Sequence, residues 1–261
     1  MESDFRTPLL ECFRQGDAPR DVRLLAAQGG LAPRAHEQLG LLMILVADTD
    51  EEIARAAEAT LQAIAPGSIE GVLAGSNVPA EMRAFFEARG VTPAEAPATE
   101  IEVPLLDTGG PTEPEAAEGT IDGGAVRPGM TEKIAAMNVP ERLKLAMKGT
   151  REERAVLIRD PNRMVAAAVL SSPKLSESEV TSIARMGNVS EEILRIIGHT
   201  RAWIKNYSTC LALVKNSKTP LALSMNLLSR LNEKDLRMLS IDRNVPDTLR
   251  ITARKKITVN K

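Results

Sequence analysis

The only Trp and the only Tyr of this chain lie four residues apart in HTRAWIKNYSTCLALVKNSK, residues 199–218, interleaved with Arg and Lys. On a helix, Trp203 and Tyr207 would share one face. Arg201 and Lys205 would share another, turned from the aromatics by about 160° or 200° at 100° per residue. Cations beside aromatic faces bind phosphates, bases or acidic peptides. Lys215, Lys218, Arg230, Lys234 and Arg237 follow, and Arg243 and the RKK of 254–256 keep the remainder cationic. Arg201, Trp203, Lys205, Tyr207, Lys215, Lys218, Arg230, Lys234 and Arg237 are therefore the candidate binding surface. The competing reading has the aromatics filling a seam between helices while the cations solvate its outside. Large apolar side chains are mostly buried, which favours the seam for Trp203 and Tyr207.

Signs of catalysis are few. His36 and His199 are the only histidines, and neither has a Cys or second His at helical ligand spacing, so no metal site is expected. His199, after Gly198, reads as a helix-end residue that meets the last carbonyls. The chain has no GxxxxGK[ST], GxGxxG or GxSxG, and the carboxylate pairs Glu51-Glu52 and Glu191-Glu192 sit at expected helix starts. No catalytic residue and no cofactor are expected. Cys12 and Cys210 are far apart in sequence, which argues against a disulfide framework and for a reducing cytoplasm. Cys210, inside TCLALV, reads as a small core residue.

The elements that position these groups are helical. With one Trp, one Tyr and four Phe in 261 residues, the core must be built from Leu, Ile, Val, Ala and Met. That composition suits packed helices better than a β-sandwich. Apolar residues fall on helical faces at Leu24–Leu25, Leu39–Leu45, Ile53–Ile64, Met82–Phe86, Val165–Leu170, Val180–Ile183, Ile193–Ile197, Leu211–Val214 and Leu223–Leu231. Helix-start chemistry is frequent, as in Thr49-Asp-Glu-Glu, Ser176-Glu-Ser-Glu and Ser190-Glu-Glu. The first residues lack a secretory pattern. The longest apolar run, Leu41–Ala47, is far short of the roughly 20 residues that span a bilayer. The expected class is all-α.

Residues 93–129 stand apart, rich in Pro, Gly, Glu and Thr with eight acidic residues and one basic. Such a segment buries too little apolar surface to offset its ordering entropy and reads as a flexible acidic linker. Within it, Ile101-Glu-Val-Pro-Leu-Leu106 is apolar enough to dock on a groove or sheet edge, although the composition favours incidental aliphatics in a linker. The expected organisation is an acidic helical domain over 1–92, the linker, and a basic helical domain over 130–261. Residues 1–129 hold 9 basic against 22 acidic side chains (−13), and residues 130–261 hold 24 against 13 (+11). Opposed charges of this size imply mutual contact or separate partners.

A short phrase recurs through both helical parts: Asn77-Val-Pro, Asn138-Val-Pro, Asn188-Val-Ser and Asn244-Val-Pro. Related turns carry Asp48, Asp160 and Asn216. Asp160, Asn188, Asn216 and Asn244 are spaced by 28, Asp48 and Asn77 by 29, and Asn138 precedes Asp160 by 22. Five residues after each stands an aliphatic or Met: Ile53, Met82, Leu143, Val165, Ile193, Leu221 and Leu249. The period implies a tandem repeat of two short helices and two turns, stacked so that neighbours share a core. The +5 residue is expected to point into that stack. Pro79, Pro140 and Pro246 have no N–H to offer an Asx-turn. Asn77, Asn138 and Asn244 are thus expected to bond the end of the preceding helix, with the N–H one residue further on as the alternative.

Units such as LIRDPNRMVAAAVLSSPKLSESEVTSIAR (157–185) resemble leucine-rich-repeat-variant and short HEAT-like α-solenoids, over roughly 45–89 and 138–257. The resemblance implies a stack of short helices used mainly as a binding surface. The expected function is a non-catalytic protein-interaction scaffold or adaptor whose basic surface takes an acidic or extended protein segment, with the acidic linker as a self-masking competitor. A nucleic-acid-binding HEAT-like module is the alternative, since some HEAT-like proteins grip duplex backbones. A HEAT-like enzyme subunit is the third reading.

Overall fold

The computed structural model describes residues 7–31, 34–76, 78–96, 104–106 and 129–259, with Val259 described by its backbone only. Every regular element among the described residues is helical. By contacts the chain divides into two compact units, Met1–Lys174 and Leu175–Lys261. This boundary lies within the stretch that sequence assigns to one C-terminal domain.

The first unit contains α1 (Pro8–Arg14), α2 (Arg20–Ala27), α3 (Ala35–Val46), α4 (Glu51–Ala63), α5 (Pro66–Leu73) and α6 (Ala80–Glu87). Across the acidic stretch it continues with α7 (Met130–Ala136), α8 (Val139–Lys148), α9 (Arg151–Leu157) and α10 (Arg163–Leu170). α2, α3 and α4 pack on one another, while α10 packs on α1 and α8, and α8 also touches α2. Those contacts draw residues 130–174 into the first unit. Helices this short are marginal alone, so burial must hold them. Met164 through Leu170 of α10 are all buried, as is most of α3.

The second unit contains α11 (Glu177–Arg185), α12 (Glu191–His199), α13 (Arg201–Ile204), α14 (Tyr207–Lys215) and α15 (Leu221–Leu227). A 3-10 turn (Leu228–Arg230), α16 (Glu233–Ile241) and α17 (Asp247–Val259) complete it. α11 packs on α14, α14 on α15, and α16 on α17.

The residues five positions after the recurring Asp or Asn are buried at Ile53, Met82, Leu143, Val165, Ile193 and Leu249. Leu221 departs from the expectation and is 42% exposed. Pro220 is the N-cap of α15, which makes Leu221 its first residue, and Leu223 is the one buried. Leu223 lies so close to α12 that a Cβ on Gly198 would overlap its side chain.

The turn residues themselves use two chemistries. Asp48 accepts from the N–H of Asp50 at 2.9 Å and takes Arg23 Nη1 of α2 on both oxygens, at 2.5 and 2.6 Å. Asp160 repeats this, accepting from Asn162 N–H at 2.7 Å and from Arg142 Nη1 of α8 at 2.6 Å. Asn216, an amide, accepts from Lys218 N–H at 3.0 Å and donates to the carbonyls of Ala184 and Met186 at 2.9 Å each. A carboxylate can only accept, so it needs an arginine; an amide also donates, so bare carbonyls at the end of α11 suffice.

The Asn-Val-Pro expectation is corrected at Asn138. Its side chain accepts from Glu141 N–H at 2.9 Å while Glu141 returns the bond to Asn138 N–H, a capping box and not a tie to the preceding helix. The N–H one residue past Pro140 was the nearer unsatisfied donor. Asn188 and Asn244 are exposed, without a side-chain hydrogen bond among the described residues, and the valines after them, Val189 and Val245, are buried. Asn77 lies outside the described residues.

Parts of the 93–129 stretch are seated. Ala94 N–H donates to the Glu70 carbonyl of α5 at 3.0 Å. Pro104–Leu106 lies against α3, whose Gln38 Oε1 accepts from Leu105 and Leu106 N–H at 2.7 and 3.0 Å. Gln38 Nε2 donates to Leu106 O at 2.9 Å. The incidental-linker reading is thus corrected for these three residues; Ile101, Glu102 and Val103 lie outside the described residues.

Candidate interaction surface

The sequence candidates all fall in the second unit, and the helix expected to carry the aromatics is broken between them. α13 ends at Ile204, and Asn206 caps α14 by accepting from Ser208 N–H at 2.9 Å. Asn206 also donates to Glu177 of α11 at 3.1 Å, so its side chain fixes the break. Trp203 and Tyr207 therefore do not stand on one helical face, nor do Arg201 and Lys205 on another. A single Asn competing for local N–H groups overrode the apolar periodicity.

Trp203 is half-buried and Tyr207 is 39% exposed. The Tyr207 hydroxyl donates to the Asp235 carboxylate of α16 and accepts from Asn232 N–H at 3.3 Å. Burial first, then the bond to Asp235, raises the phenol above its ordinary pKa. The ring thus bridges α14 to the start of α16, beside a second tie: Arg230 Nη1 donates to the Ile204 carbonyl at 2.9 Å. Cys210 Sγ donates to that same oxygen at 3.0 Å, and burial pushes its thiol pKa up against the opposing pull of Arg230. Cys12 and Cys210 are both buried and outside any disulfide. His199 Nδ1 meets the Arg195 carbonyl at 2.8 Å at the end of α12, the expected helix-end contact.

The eight candidates other than Trp203 separate by what their side chains already do. Tyr207 and Arg230 are occupied as described, and Arg237 pairs with Glu233 at 2.5 Å. Arg201, Lys205, Lys215, Lys218 and Lys234 are exposed and form no side-chain hydrogen bond or ion pair among the described residues. Lys215 and Lys218 flank the Asn216 turn and border two hollows. One, of about 320 Å³, is lined by Arg185, Ser208, Leu211, Ala212, Lys215 and Asn216. The other, of about 670 Å³, lies by Lys218, Pro220, Leu221 and Pro246. Arg185, with no pairing of its own among the described residues, was missed from sequence; only its helix-end position on α11 hinted at it.

The Gln38 clamp on the first unit was missed as well. Gln38 is 1% exposed, and an isolated Gln inside an apolar run is the one signal a sequence offers. Among the described residues no three His, Cys, Asp or Glu side chains group to hold a metal ion, and no helix is long and apolar enough to cross a membrane. No family model matches the chain, and searches of curated proteins and solved structures find no significant match. The arrangement offers charge and half-exposed apolar surface around a fixed turn, which is the chemistry of binding.

Proposed function

We propose that the chain is a non-catalytic interaction scaffold whose second unit takes an acidic or extended protein segment along the turn 215–221. The observation that carries the reading is the pair Lys215 and Lys218, unpaired cations on either side of a turn locked by Asn216 and ending in exposed Leu221. Residues 175–261 hold 15 basic against 8 acidic side chains (+7), which would attract such a partner at a distance. A short α-solenoid of leucine-rich-repeat-variant or HEAT-like type fits this use. Its support is the packing of α11 on α14 and hydrogen bonds between residues 28 apart, Thr181 with Thr209 and Tyr207 with Asp235. The acidic stretch 107–128 is the natural competitor for the same turn.

The test is an affinity capture from source-cell lysate on the full-length chain, at low and high salt, beside Lys215→Glu/Lys218→Glu. Proteins released by salt and lost with the double variant support the reading, and a peptide of residues 107–128 should displace them. An identical captured set from both chains overturns it. Capture of nucleic acid alone, lost with the same variant, would replace it with the duplex-binding reading.

A further inference from the structure

We propose that the hollow beside α11 and α14 takes a phosphorylated Ser or Thr of the partner segment, its phosphate held by Arg185 and Lys215 and a neighbouring aliphatic residue lying on Leu211. The inference rests on the reading of the 215–221 turn as a binding surface and names the chemistry taken there.

Two helices deliver their cations to one place. Arg185 is the last residue of α11 and Lys215 the last of α14. Asn216, next after Lys215, donates to the carbonyls of Ala184 and Met186, on either side of Arg185. That clamp holds the two cation-bearing stretches of backbone against each other, and the Thr181–Thr209 contact ties the same helices further back. Arg185 and Lys215 are exposed and unpaired among the described residues, and no carboxylate stands among the residues lining their hollow. Like charges gathered without a counter-charge repel. The macrodipole accounts for a cation in the last turn of each helix, but not for both on one hollow without an acid. The carbonyls at the end of α11 that would repel an anion are engaged by the Asn216 amide.

Two cations call for about two negative charges at one point, which a phosphate monoester supplies and a single carboxylate or a phosphodiester does not. The rest of the hollow describes what flanks the phosphate. Ser208, Leu211, Ala212 and Lys215 follow one face of α14, so the hollow runs along that helix from a hydroxyl, over an apolar floor, to the cations. Leu211 is half-buried and Ala212 buried, which leaves the leucine as the surface for an apolar side chain. Leu211 lies about 6 Å along the helix axis from Lys215, four residues at about 1.5 Å each. An extended segment covers that distance in two residues, at about 3.3 Å each, and returns its side chain to the same face. The partner should therefore carry an aliphatic residue two positions from the phosphorylated one.

The test uses the full-length chain and the fluorescein-labelled peptide Gly-Leu-Gly-Ser-Gly-Leu-Gly, phosphorylated on its serine, read by fluorescence anisotropy. The same peptide without phosphate, and with Glu in place of the phosphoserine, should each bind at least ten-fold more weakly. Replacing both leucines by glycine should weaken the phosphopeptide several-fold. Arg185→Gln should cost the phosphopeptide at least ten-fold, with helicity by circular dichroism as the control. If Arg185→Gln unfolds, Lys215→Gln takes its place with the same expected loss. Lys218→Gln, a cation outside the hollow, should bind as wild type. No phosphopeptide binding, equal binding of the phosphorylated and Glu peptides, or full binding by both folded Gln variants overturns the proposal. So does a labelled DNA duplex that binds more tightly than the phosphopeptide and is lost with Arg185→Gln, which would assign the cations to nucleic-acid phosphates. Lysate capture lost with Lys215→Glu/Lys218→Glu while the phosphopeptide fails removes only the phosphate and leaves the acidic-segment reading standing.

Discussion

The hydroxyls of Thr181 and Thr209 meet at 2.8 Å in the interior of the second unit, 28 residues apart and each seven before an asparagine, Asn188 and Asn216. The pair is asymmetric. Thr181 also donates to the Glu177 carbonyl at 3.0 Å, which leaves Thr209 as the donor between them. Thr181→Val therefore strands the Thr209 hydroxyl, 1% exposed, and should cost about 1–3 kcal/mol in urea unfolding. Thr209→Val leaves Thr181 bonded to its own helix and should cost about 1 kcal/mol or less. The double variant should be no worse than Thr181→Val alone. Equal single costs would mean the hydroxyl protons run the other way.

Asn216 should tolerate no carboxylate. Asn216→Asp aims an anionic oxygen at the carbonyls of Ala184 and Met186, where the amide now donates. The loss should exceed that of Asn216→Ala and reach roughly 2–4 kcal/mol near neutral pH. Burial and the two carbonyls would raise the pKa of the new carboxyl, so the native state binds its proton more tightly than the unfolded chain. The defect should accordingly shrink as the pH falls toward 4, read by thermal midpoints across a pH series.

Arg142 and Asp160 should fail together. The Asp160 side chain is 5% exposed and that of Arg142 18%, so Arg142→Ala leaves a nearly buried carboxylate with only the Asn162 N–H. A cost of about 3 kcal/mol is expected, falling substantially when Asp160→Asn is added. Additive single effects would show the two to be energetically independent.

On the alkaline side the second unit should lose stability through Cys210. Burial raises its folded pKa above the unfolded value, so the native state holds the proton that the unfolded chain gives up. That contribution is complete below about pH 8 and declines as pH rises through the thiol range. Cys210→Ala should flatten the decline between about pH 8 and 10, measured as the change in unfolding midpoint. The raised phenol of Tyr207 extends the same trend to higher pH, and Tyr207→Phe should remove it.

Gly149 should resist replacement. It ends α8 and precedes the α9 capping box of Thr150 and Glu153, and a Cβ there would run into the Leu145 carbonyl oxygen. Backbone cannot yield as a side-chain tip can, so Gly149→Ala should cost about 1–3 kcal/mol by chemical denaturation.

The helical class and six of the seven inward +5 positions were legible because both rest on local periodicity, and Ile53 or Leu143 obeys it wherever its helix is placed. Leu221 was misjudged because its helix is capped at Pro220, four residues after Asn216, and not two residues after as at Pro79, so Leu221 falls at the first helical position instead of the third. The break at Asn206 was hidden for a related reason: apolar spacing runs on through it, and only a side chain competing for N–H groups stops the helix. Arg23, Arg142 and Gln38 could not be assigned at all. Their partners lie 25, 18 and 67–68 residues away, and sequence spacing carries no record of which distant carboxylate or backbone a buried polar group will meet.

The two chemistries at the turns differ in what they demand of a neighbour. Asn216 grips main-chain oxygens, which every helix end presents, so the helix it holds is free to change its side chains. Asp48 and Asp160 instead require an arginine at one place on the helix beside them, and a change in either member breaks the match. Helical pairs should therefore be exchangeable, by recombination or by protein engineering, across a junction of the Asn216 kind, whereas across the other two they can move only with their arginine.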